Sequence, residues 1–404
     1  MEESSVAVDE PTYDPFSYRL HRDPYPTYAW LREHAPLYRN EERNFWALSR
    51  YDDVVAALRD PGRFSSRNGI SLEPDLWGPD AARTSFFLAM DPPEHRTLRQ
   101  LLGERFKPRW VAAMEPKVRA AVRARLLPAL EEPVVDFAGV AAGVPNAIIC
   151  DLVGIAVADQ DRVRADNDLL NRCEDGTDRR SPATVAAGFR LALLYVQLVN
   201  DRRRCPREDL TSDMIDARVD GRPLTDSQLV AFLFLLVSAT NESTGKQIGL
   251  ALHHGARFPA VAAAGLRGRA ADWVRESLRY DSASQMTART LTEPTTLHGT
   301  RLPAGARVAL LPAAANRDPG VFADPDRFDL DRDTSRTLSF GQGPHFCLGA
   351  ALAQLEMTVA LTELGAAVES YQLDLDAVQW IHSPHQRGFT ALPGTVVRRR
   401  PTRR

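Results

Sequence analysis

The sequence contains little cysteine and little lysine. Four cysteines occur among 404 residues (Cys150, Cys173, Cys205 and Cys347), and only three of the 50 basic residues are lysines. No two cysteines stand in a Cys-x-x-Cys pair, which argues against a disulfide framework and against a metal site of that type. A chain of this length can bury a core without disulfides, so we expect reduced thiols and a cytoplasmic protein.

The sequence also lacks an excess of charge of either sign. Lys and Arg number 50 and Asp and Glu number 53, so the formal net charge is −3. This balance provides no general attraction to nucleic acid or to an anionic membrane surface. The first residues lack the basic start and apolar run of a secretion signal. The longest strongly apolar stretch, residues 229–237, is too short to cross a bilayer. We therefore expect a soluble protein with neither kind of partner.

Repeats, low-complexity segments and long Gly/Ser linkers are absent from the sequence. We therefore expect one domain over residues 1–404, with loose termini at residues 1–11 and 398–404. Hydrophobic periodicity predicts a mainly α protein with a minor β region. The predicted helices cover residues 25–34, 51–59, 94–106, 116–131, 142–153, 159–170, 184–202, 225–255, 270–280 and 348–364. The predicted strands cover residues 45–49, 286–292, 296–298 and 307–311, and residues 60–90 are predicted to form a long loop.

The strongest helix pattern begins at Thr225 and ends near Gly255. Thr225 and Gln228 fit a capping box at its start. The first half of the helix is apolar on all sides, so we expect it to cross the protein interior. Hydroxyl, amide and carboxyl side chains nevertheless occupy its middle, at residues 238–244. Because buried polar groups are costly unless they are paired, this cluster is a candidate site of chemistry.

A glycine-rich loop, FGQGPHFCLG over residues 340–349, precedes the last predicted helix. Gly341 allows a turn that a Cβ atom would hinder, and Gly349 leaves room for a flat ligand near the backbone. Cys347 lies where the unpaired N–H groups of the helix start favour a thiolate. The loop is not a dinucleotide-binding fingerprint, because Phe346 occupies the place of the third glycine. The loop is suited to present one thiolate to a large planar partner.

With this loop the sequence closely resembles the cytochrome P-450 superfamily, and most of all its soluble bacterial haem-thiolate monooxygenases. The family's haem-ligand loop has the pattern F-G-x-G-x-H-x-C-x-G, and every fixed position is filled. The resemblance covers nearly the whole chain. It implies haem b (iron protoporphyrin IX) between the long central helix and the helix after the cysteine loop. Cys347 would be the axial iron ligand, His345 would meet a haem propionate, and Phe340 would pack beneath the loop.

The resemblance extends to three further motifs. Glu276 and Arg279 match the family's E-x-x-R pair, which Arg327 would join in a buried structural network that supports the cysteine loop. His95 and Arg99 match its H-x-x-x-R pair, which holds a haem propionate, and Arg289 resembles the arginine that holds the second one. Two carboxylates among two arginines and two histidines are a sound charge-assisted arrangement.

In the central helix the family pattern A-G-x-[DE]-T-T corresponds to residues 239–244 of this chain, ATNEST. Glu242 fills the acid position and Ser243 the alcohol position of the pair that relays protons for oxygen activation. Two positions depart from the pattern. Ser243 replaces the usual threonine and keeps its hydroxyl. Thr240 replaces a glycine, and its hydroxyl either shapes substrate orientation or weakens standard oxygen activation.

The resemblance also implies a largely apolar substrate pocket and several partners. The predicted lining consists of Phe86, Phe87, Leu88, Val237, Ala239, Thr240, Ala283, Ser284, Met286, Phe389 and Thr390. We expect a monooxygenase that hydroxylates or epoxidises a mid-sized hydrophobic molecule in secondary-metabolite biosynthesis. Electrons would come from a separate ferredoxin and ferredoxin reductase, O2 would be the co-substrate, and the protein would be a monomer.

Three alternatives stay open at this stage. The first is a haem-thiolate enzyme that catalyses oxidative coupling or another oxidation without hydroxylation, which the unusual Thr240 and Ser243 motivate. The second is a haem-binding protein without catalytic activity. The third is a zinc protein that uses Cys347 and His345 with His382 and His385, although two surface loop histidines explain the last pair more simply.

Overall fold

The computed structural model describes residues 11–399, apart from the side chains of Glu104 and Glu242. Most of the predicted loose termini, at residues 1–10 and 400–404, therefore lies outside the described residues. The α-helices in the described part of the chain are α1 (Tyr18–Arg22), α2 (Tyr25–His34), α3 (Tyr51–Arg59), α4 (Ala82–Ser85), α5 (Glu94–Gly103), α6 (Pro108–Ala113), α7 (Glu115–Ala129), α8 (Phe137–Val153), α9 (Gln160–Leu170), α10 (Pro182–Arg204), α11 (Leu210–Asp216), α12 (Asp226–Arg257), α13 (Pro259–Ala264), α14 (Ala270–Tyr280), α15 (Pro312–Ala315) and α16 (Ala350–Ala367).

The strands form one larger sheet and several small ones. They are β1 (Leu37–Asn40), β2 (Phe45–Leu48), β3 (Phe64–Ser65), β4 (Val135–Asp136), β5 (Arg218–Val219), β6 (Arg222–Pro223), β7 (Thr287–Leu291), β8 (Thr295–Leu297), β9 (Thr300–Leu302), β10 (Arg307–Leu310), β11 (Val368–Leu373), β12 (Gln379–Trp380), β13 (Phe389–Ala391) and β14 (Pro393–Arg398). The larger sheet has the order β1-β2-β10-β7-β3, in which only β2 and β10 run parallel. The strands β11, β14 and β4 form a second sheet, and three hairpins complete the β region. The mainly α fold with a minor β region is confirmed.

The central helix α12 is the axis of the core. Thr225 and Gln228 form the predicted capping box at its start, and the helix packs most extensively against α8 and α4, then against α10 and α16. Phe232, Leu233 and Val237 in its first half are fully buried. At about 1.5 Å per residue the helix is long enough to cross the whole molecule. Its polar middle is thereby placed inside the protein.

The structure moves one predicted helix start and adds helix to a predicted loop. Helix α8 begins five residues before the predicted residue 142, because the Asp136 side chain accepts hydrogen bonds from the backbone N–H groups of Ala138 and Gly139. Such a cap satisfies donors at a helix start that would otherwise be unpaired. Part of residues 60–90, predicted as loop, forms α4 and the following 3-10 turn at Phe86–Ala89. This turn packs on α12, and it therefore becomes part of the wall of the central cavity.

Helix α10 combines an apolar composition with a partly exposed outer side. Helix α10 is long and apolar enough to span a membrane by length and composition, and one third of its apolar window is buried. Its inner side packs on α9, α11 and α12. Its outer side leaves Phe189 and Leu193 exposed. A single helix of this kind in a chain with a buried core is weak evidence for a membrane span.

Candidate functional site

A cavity lies between α12 on one side and the cysteine loop with α16 on the other. It holds about 1610 Å³ of space that no atom fills, part of which is open to solvent. Its walls combine residues from both ends of the chain: Ile70, Phe87, Leu88, Arg99, Leu235, Leu236, Ala239, Thr240, Ser243, Thr244, Gln247, Ala283, Ser284, Met286, Thr287, Arg289, Phe340, Gly341, His345, Cys347, Gly349, Glu356 and Gln386 are among them. A flat group of considerable size can therefore lie between the central helix and Cys347.

The loop before α16 presents Cys347 to this cavity. The backbone N–H of Cys347 donates to the carbonyl of Phe340 (2.8 Å), and Gly341 has a φ of 72°, in the left-handed region that favours glycine. Gly349 then caps α16. The accessible surface of Cys347 faces the cavity rather than bulk solvent. The predicted presentation of one thiol by this loop is therefore what the structure shows.

The surroundings of Cys347 do not by themselves favour a thiolate. Burial raises the pKa of the thiol, and the backbone N–H of Gly349 and the guanidinium of Arg99 only partly oppose this. The helix start, which we expected to favour a thiolate, is thus outweighed by burial. A metal cation in the cavity would reverse the balance, since a coordinating thiol loses its proton.

Among the described residues, a group of cationic and imidazole side chains at this cavity has no carboxylate partner: Arg289 and His345 border the cavity, and His95 packs on His345. Both ring nitrogens of His95 and Nδ1 of His345 are buried and lack hydrogen-bond partners in the described part of the protein. Their ring centroids are 4.1 Å apart. Arg289 is 4% exposed, and within residues 11–399 its guanidinium donates to Thr287 Oγ1 and to the carbonyl of Ala288. Burial lowers the pKa of Arg289 to about 10 and that of His95 to about 4.

Helix α5 and strand β7 bring this group together. His95 and Arg99 lie one turn apart on α5, and the Arg99 guanidinium donates to the carbonyl of Phe346 (2.6 Å), which ties α5 to the cysteine loop. Arg289 comes from β7 and borders the cavity close to His345. Buried donors without acceptors are costly. The cluster fits a flat ligand whose edge carries carboxylates and whose centre is a metal near Cys347. A haem with its two propionates has this chemistry, so the residues present fit the group.

The polar middle of α12 faces the cavity with Thr240 and Ser243. The Ser243 hydroxyl donates to the carbonyl of Ala239 (3.3 Å), one turn earlier in the helix. Asn241 points to the opposite side of α12, where its amide donates to the carbonyl of Val237 (2.9 Å). The side chain of Glu242 lies outside the described residues, so its predicted role stays a prediction. The helix thus offers the cavity two hydroxyl groups at the predicted positions.

The Glu276–Arg279 pair lies inside α14 and supports the coil that leads to the cysteine loop. Arg279 also donates to the carbonyl of Asn316 (3.0 Å). The Asn316 side chain in turn accepts a hydrogen bond from the backbone N–H of Leu338 (2.7 Å) and donates one to the hydroxyl oxygen of Ser339 (2.8 Å). These bonds end directly before Phe340. The pair therefore positions the loop from behind.

Arg327 does not take the place that we expected for it in this network. Its guanidinium is largely exposed and approaches only Asp329 (3.8 Å), while its backbone carbonyl accepts a bond from Arg279 (3.3 Å). Arg332 supplies the second guanidinium instead, because its Nε donates to Glu276 (3.1 Å). The coil turns between the two residues, and sequence spacing could not show which arginine turns inward.

Seven of the eleven predicted pocket residues line the cavity: Phe87, Leu88, Ala239, Thr240, Ala283, Ser284 and Met286. Phe86 and Val237 are buried in the core instead. Phe389 and Thr390 border a second, smaller cavity on the far side of α12. The residue of the carboxyl-terminal loop that borders the main cavity is Gln386, three residues before Phe389. It is placed there by an isolated β-bridge with Ser284.

The predicted zinc alternative gains no support from the geometry. His382 stacks on Tyr18 with ring centroids 3.5 Å apart, and His385 lies near Glu73 (3.8 Å). Neither borders the cavity that contains Cys347. Within residues 11–399, no group of three or more His, Cys, Asp or Glu side chains is arranged to hold a metal ion. Any metal at Cys347 would therefore have to bring its other ligands with it, as a porphyrin does.

Sequence reasoning missed several polar residues of the cavity wall, among them Gln247 and Glu356. Gln247 accepts from the backbone N–H of Ala283 (2.7 Å) and donates to Ser277 (3.0 Å), which joins α12 to α14. Glu356 on α16 is buried and has no partner among the described residues. The signal for Glu356 was a carboxyl inside an otherwise apolar helix pattern, which becomes meaningful only when the neighbours are known.

Comparisons with known proteins agree with this geometry. The family model described as Cytochrome P-450 matches residues 271–394. The chain is 42% identical to "Putative cytochrome P-450 123" of Mycobacterium tuberculosis, over 97% of this chain and 99% of that protein. It is 37% identical to "Cyclomarin C epoxidase CymV" of Salinispora arenicola, over 83% of this chain and 87% of that one. The crystal structure of CYP109E1 from Bacillus megaterium in complex with testosterone has a TM-score of 0.86 at 27% identity, covering 93% of this chain and 98% of that one.

Proposed function

Because this chain belongs to the cytochrome P-450 family, we propose that it inserts one atom of O2 into a mid-sized, largely hydrophobic molecule in secondary-metabolite biosynthesis. Membership of the family makes the protein a monooxygenase whose cofactor is haem b. The proposal concerns the substrate class, the reaction and the residue roles. The observation that carries it is that Cys347 faces a large cavity bordered by His345 and Arg289, with His95 packed on His345, and that these three side chains have no anionic partner among the described residues.

In this proposal the cysteine loop and the basic rim hold the cofactor. Cys347 would bind the iron, and Arg99, Arg289, His95 and His345 would hold the propionates. Gly341 and Gly349 keep the backbone clear of the ring, and Phe340 packs beneath the loop. Haem with a thiolate ligand supplies electron density that favours cleavage of the O–O bond. The remaining tasks, which are to bind and orient the substrate and to move protons, fall to the side chains of the cavity.

The hydroxyl of Ser243, with Glu242 beside it in sequence, carries protons into the cavity. Ser243 borders the cavity and holds only a long bond to the Ala239 carbonyl (3.3 Å), so its hydroxyl can turn toward a water or a ligand. A relay of this kind delivers protons to a cavity whose wall is mainly apolar. Thr240 adds a methyl group and a second hydroxyl over the ligand space.

The cavity wall indicates the substrate class. Ile70, Leu88, Leu235, Leu236 and Met286 give it a mainly apolar surface. Ser284, Thr287 and Gln386 provide a few hydroxyl and amide groups, which suits a hydrophobic molecule with a small number of oxygen functions. The named relatives include an epoxidase of a natural product and a structure with a bound steroid. Hydroxylation or epoxidation of such a molecule follows.

Members of this fold receive electrons from a redox partner, and we propose a ferredoxin with its reductase as the source. The partner would bind on the outer side of the cysteine loop, where Phe346 is 45% exposed. Arg96 and Gln100 on α5 border a surface pocket beside Pro344 of that loop. We propose that the protein works as a monomer in the cytoplasm, with no nucleic acid or membrane partner, and over one domain spanning the chain.

A second candidate is an oxidation without oxygen insertion, such as oxidative coupling. The observation that favours it is Thr240, which occupies the cavity wall next to Ser243 where the family has a glycine. Product analysis with oxygen-18-labelled O2 separates the two. Label in the product supports insertion, and a coupled product without label supports the second candidate.

The experiment that tests the central proposal is the ferrous–CO difference spectrum of the purified protein. A thiolate-ligated haem has a characteristic red-shifted band, which Cys347→Ser should abolish. Cys205→Ser is the matched control, because Cys205 is exposed at the end of α10. A colourless protein, or a band that survives Cys347→Ser, would contradict the proposal. A spin-state titration with hydrophobic natural products then tests the substrate class.

A further inference from the structure

A groove on the surface of the protein takes no part in the proposed function. It holds about 1410 Å³ of space that no atom fills, part of which is open to solvent. Its walls come from α1, from the residues that follow α9 and from the carboxyl-terminal region of the chain: Tyr18, Arg19, Arg22, Arg172, Cys173, Val378, Gln379, Trp380, His382 and Thr390. None of these residues borders the cavity that contains Cys347. The groove is therefore a separate site.

The charged side chains of the groove are all of one sign. Arg19, Arg22 and Arg172 line it, and no Asp or Glu side chain of residues 11–399 does so. Arg19 and Arg22 lie three residues apart on α1, so they share one side of that helix. All three arginines are exposed, and none forms an ion pair with a carboxylate in the described part of the chain. Three positive charges thus surround one open space.

Acidic residues occur near the groove but are not part of its wall. Asp23, Glu174 and Asp175 lie close to the arginines in the sequence. Asp175 accepts a hydrogen bond from the backbone N–H of Tyr18 (2.8 Å), and Asp23 accepts one from the backbone N–H of Tyr25 (3.3 Å). The guanidinium groups of the groove therefore keep their donors for another partner. Because like charges around one space repel, an anion that enters the groove would be stabilised there.

Aromatic rings form the rest of the wall and are held in place by their neighbours. The rings of Tyr18 and His382 stack with centroids 3.5 Å apart, and the Tyr18 hydroxyl donates to the carbonyl of Cys173 (3.1 Å). The guanidinium of Arg387 lies 4.0 Å from the ring centroid of Trp380. A concave, preformed wall of aromatic rings with a few polar groups is typical of a site for a small molecule.

The apolar surface that a membrane site requires is not found at the groove. The exposed large apolar side chains of the described residues, such as Phe189 and Leu193 of α10, lie outside its wall. A protein that lies on a lipid surface inserts apolar side chains of this kind beside its basic residues. The groove therefore fits a dissolved anion better than a lipid surface.

We propose that this groove binds the phosphate monoester of a small, planar or apolar organic molecule, with the phosphate among the three arginines and the organic part against Trp380. A phosphate monoester carries a charge of about −1.5 to −2 at pH 7, which matches three cations better than a singly charged carboxylate does. Guanidinium groups also bind two phosphate oxygens at a time. The ligand lies outside the cavity that contains Cys347, so it is not the molecule that is oxidised.

Isothermal titration calorimetry of the haem-loaded, full-length protein tests the site with three probes. We expect saturable binding of phenyl phosphate. Inorganic phosphate, which lacks the ring, and benzoate, which carries a single charge, should both bind more weakly. The affinity for phenyl phosphate should fall as NaCl is added, because the arginines are exposed to solvent. Absence of saturable phenyl phosphate binding up to about 1 mM would overturn the proposal, and so would benzoate binding as tight as that of phenyl phosphate.

Variants of the arginines test where the probe binds. Arg22→Ala and Arg172→Ala should each weaken phenyl phosphate binding several-fold, because each removes a charge-assisted partner of the phosphate. Arg301→Ala is the matched control and should bind as wild type does, because Arg301 is an exposed arginine on β9 outside the groove. Equal affinity of wild type and both groove variants would refute the site. An equal loss in Arg301→Ala would show a general effect of charge and would also refute it.

Two further measurements exclude other locations and other sources of the phosphate. The absorption spectrum of the ferric haem should stay unchanged during the titration. A spectral shift that follows the binding curve and survives in Arg22→Ala and Arg172→Ala would place the probe beside the haem and refute the groove. Phosphatidate is a phosphate monoester as well, so cosedimentation with phosphatidylcholine vesicles that contain phosphatidate tests a lipid source. We expect none, and cosedimentation that both variants lose would overturn the assignment to a dissolved molecule.

Discussion

The rings of His95 and His345 lie beside the cavity with centroids 4.1 Å apart, although α5 and the cysteine loop are far apart in the chain. His95 is buried and His345 is half-buried, and a protonated pair at this distance would repel. Burial and nearby arginines accordingly lower the pKa of both imidazoles. The two neutral imidazole rings and the guanidinium groups of Arg99 and Arg289 together form a set of hydrogen-bond donors suited to binding an anion, which we call the donor set.

Loss of this donor set should weaken haem retention. We expect Arg289→Ala and His95→Phe each to reduce the haem content of purified protein several-fold, because a propionate loses its charge-assisted partner. The ratio of haem to protein absorbance measures this. Arg96→Ala, which removes the exposed neighbour of His95 on α5, is the control and should leave the ratio unchanged. Full haem content in both rim variants would contradict the assignment of the propionate side.

The hydroxyl of Ser243 should control how efficiently reducing equivalents reach product. We expect Ser243→Ala to divert most of the consumed O2 to hydrogen peroxide and to lower product formation about tenfold or more, in line with the loss of a proton relay. Ser243→Thr, which keeps the hydroxyl, should retain coupling. Peroxide and product are measured per NADH consumed. Equal coupling in Ser243→Ala and wild type would remove Ser243 from the relay.

Glu276 should contribute strongly to stability. Its carboxylate binds Arg279 in two places (2.7 and 2.8 Å), Arg332 (3.1 Å) and the backbone N–H of Asp329 (3.0 Å). Glu276→Gln leaves a buried guanidinium uncompensated, which costs about 3–5 kcal/mol. Chemical denaturation of the haem-loaded protein should show this loss. Arg327→Ala is the control and should cost less than about 0.5 kcal/mol, because its guanidinium is exposed.

Glu356 should make stability depend on pH in a defined window. Its pKa is raised from 4.5 to about 8 on folding. The folded protein therefore keeps a proton that the unfolded chain releases, and the stability this provides is complete below pH 4.5 and declines as the pH rises to about 8. Relative to wild type, Glu356→Gln should thus gain thermal stability between pH 5 and pH 8 and show a constant difference above. Parallel curves of Tm against pH would contradict the raised pKa.

The comparison of prediction and structure is instructive where the two differ. The capping box of Thr225 and Gln228 and the cysteine loop were predictable because their contacts lie within a few residues. The start of α8 was placed late, because the Asp136 cap competes with the helix-breaking signal of Gly139 and Gly143. Local patterns therefore identified elements better than their ends.

Side-chain direction in irregular segments was the least predictable feature. Arg327 and Arg332 occupy the same coil, and both could have reached Glu276 as far as spacing shows, yet only Arg332 does. We expected Phe389 in the main cavity, but it lies on the far side of α12. Its ring centroid is 4.3 Å from that of Trp380. A coil has no fixed period, so its inward residues follow from the elements packed around it.

The sequence alone was sufficient for the mainly α fold, the long buried helix with its polar middle and the loop that presents Cys347, because helical periodicity, capping and glycine conformations are local properties of the chain. Only the tertiary structure decided which distant groups share a cavity. It brought His95 and His345 together, placed Arg332 rather than Arg327 beside Glu276, and buried Glu356 with no hydrogen-bond partner among the described residues. The physical reason is that burial and pairing are relations between segments far apart in sequence, and their energies exist only once those segments are packed together.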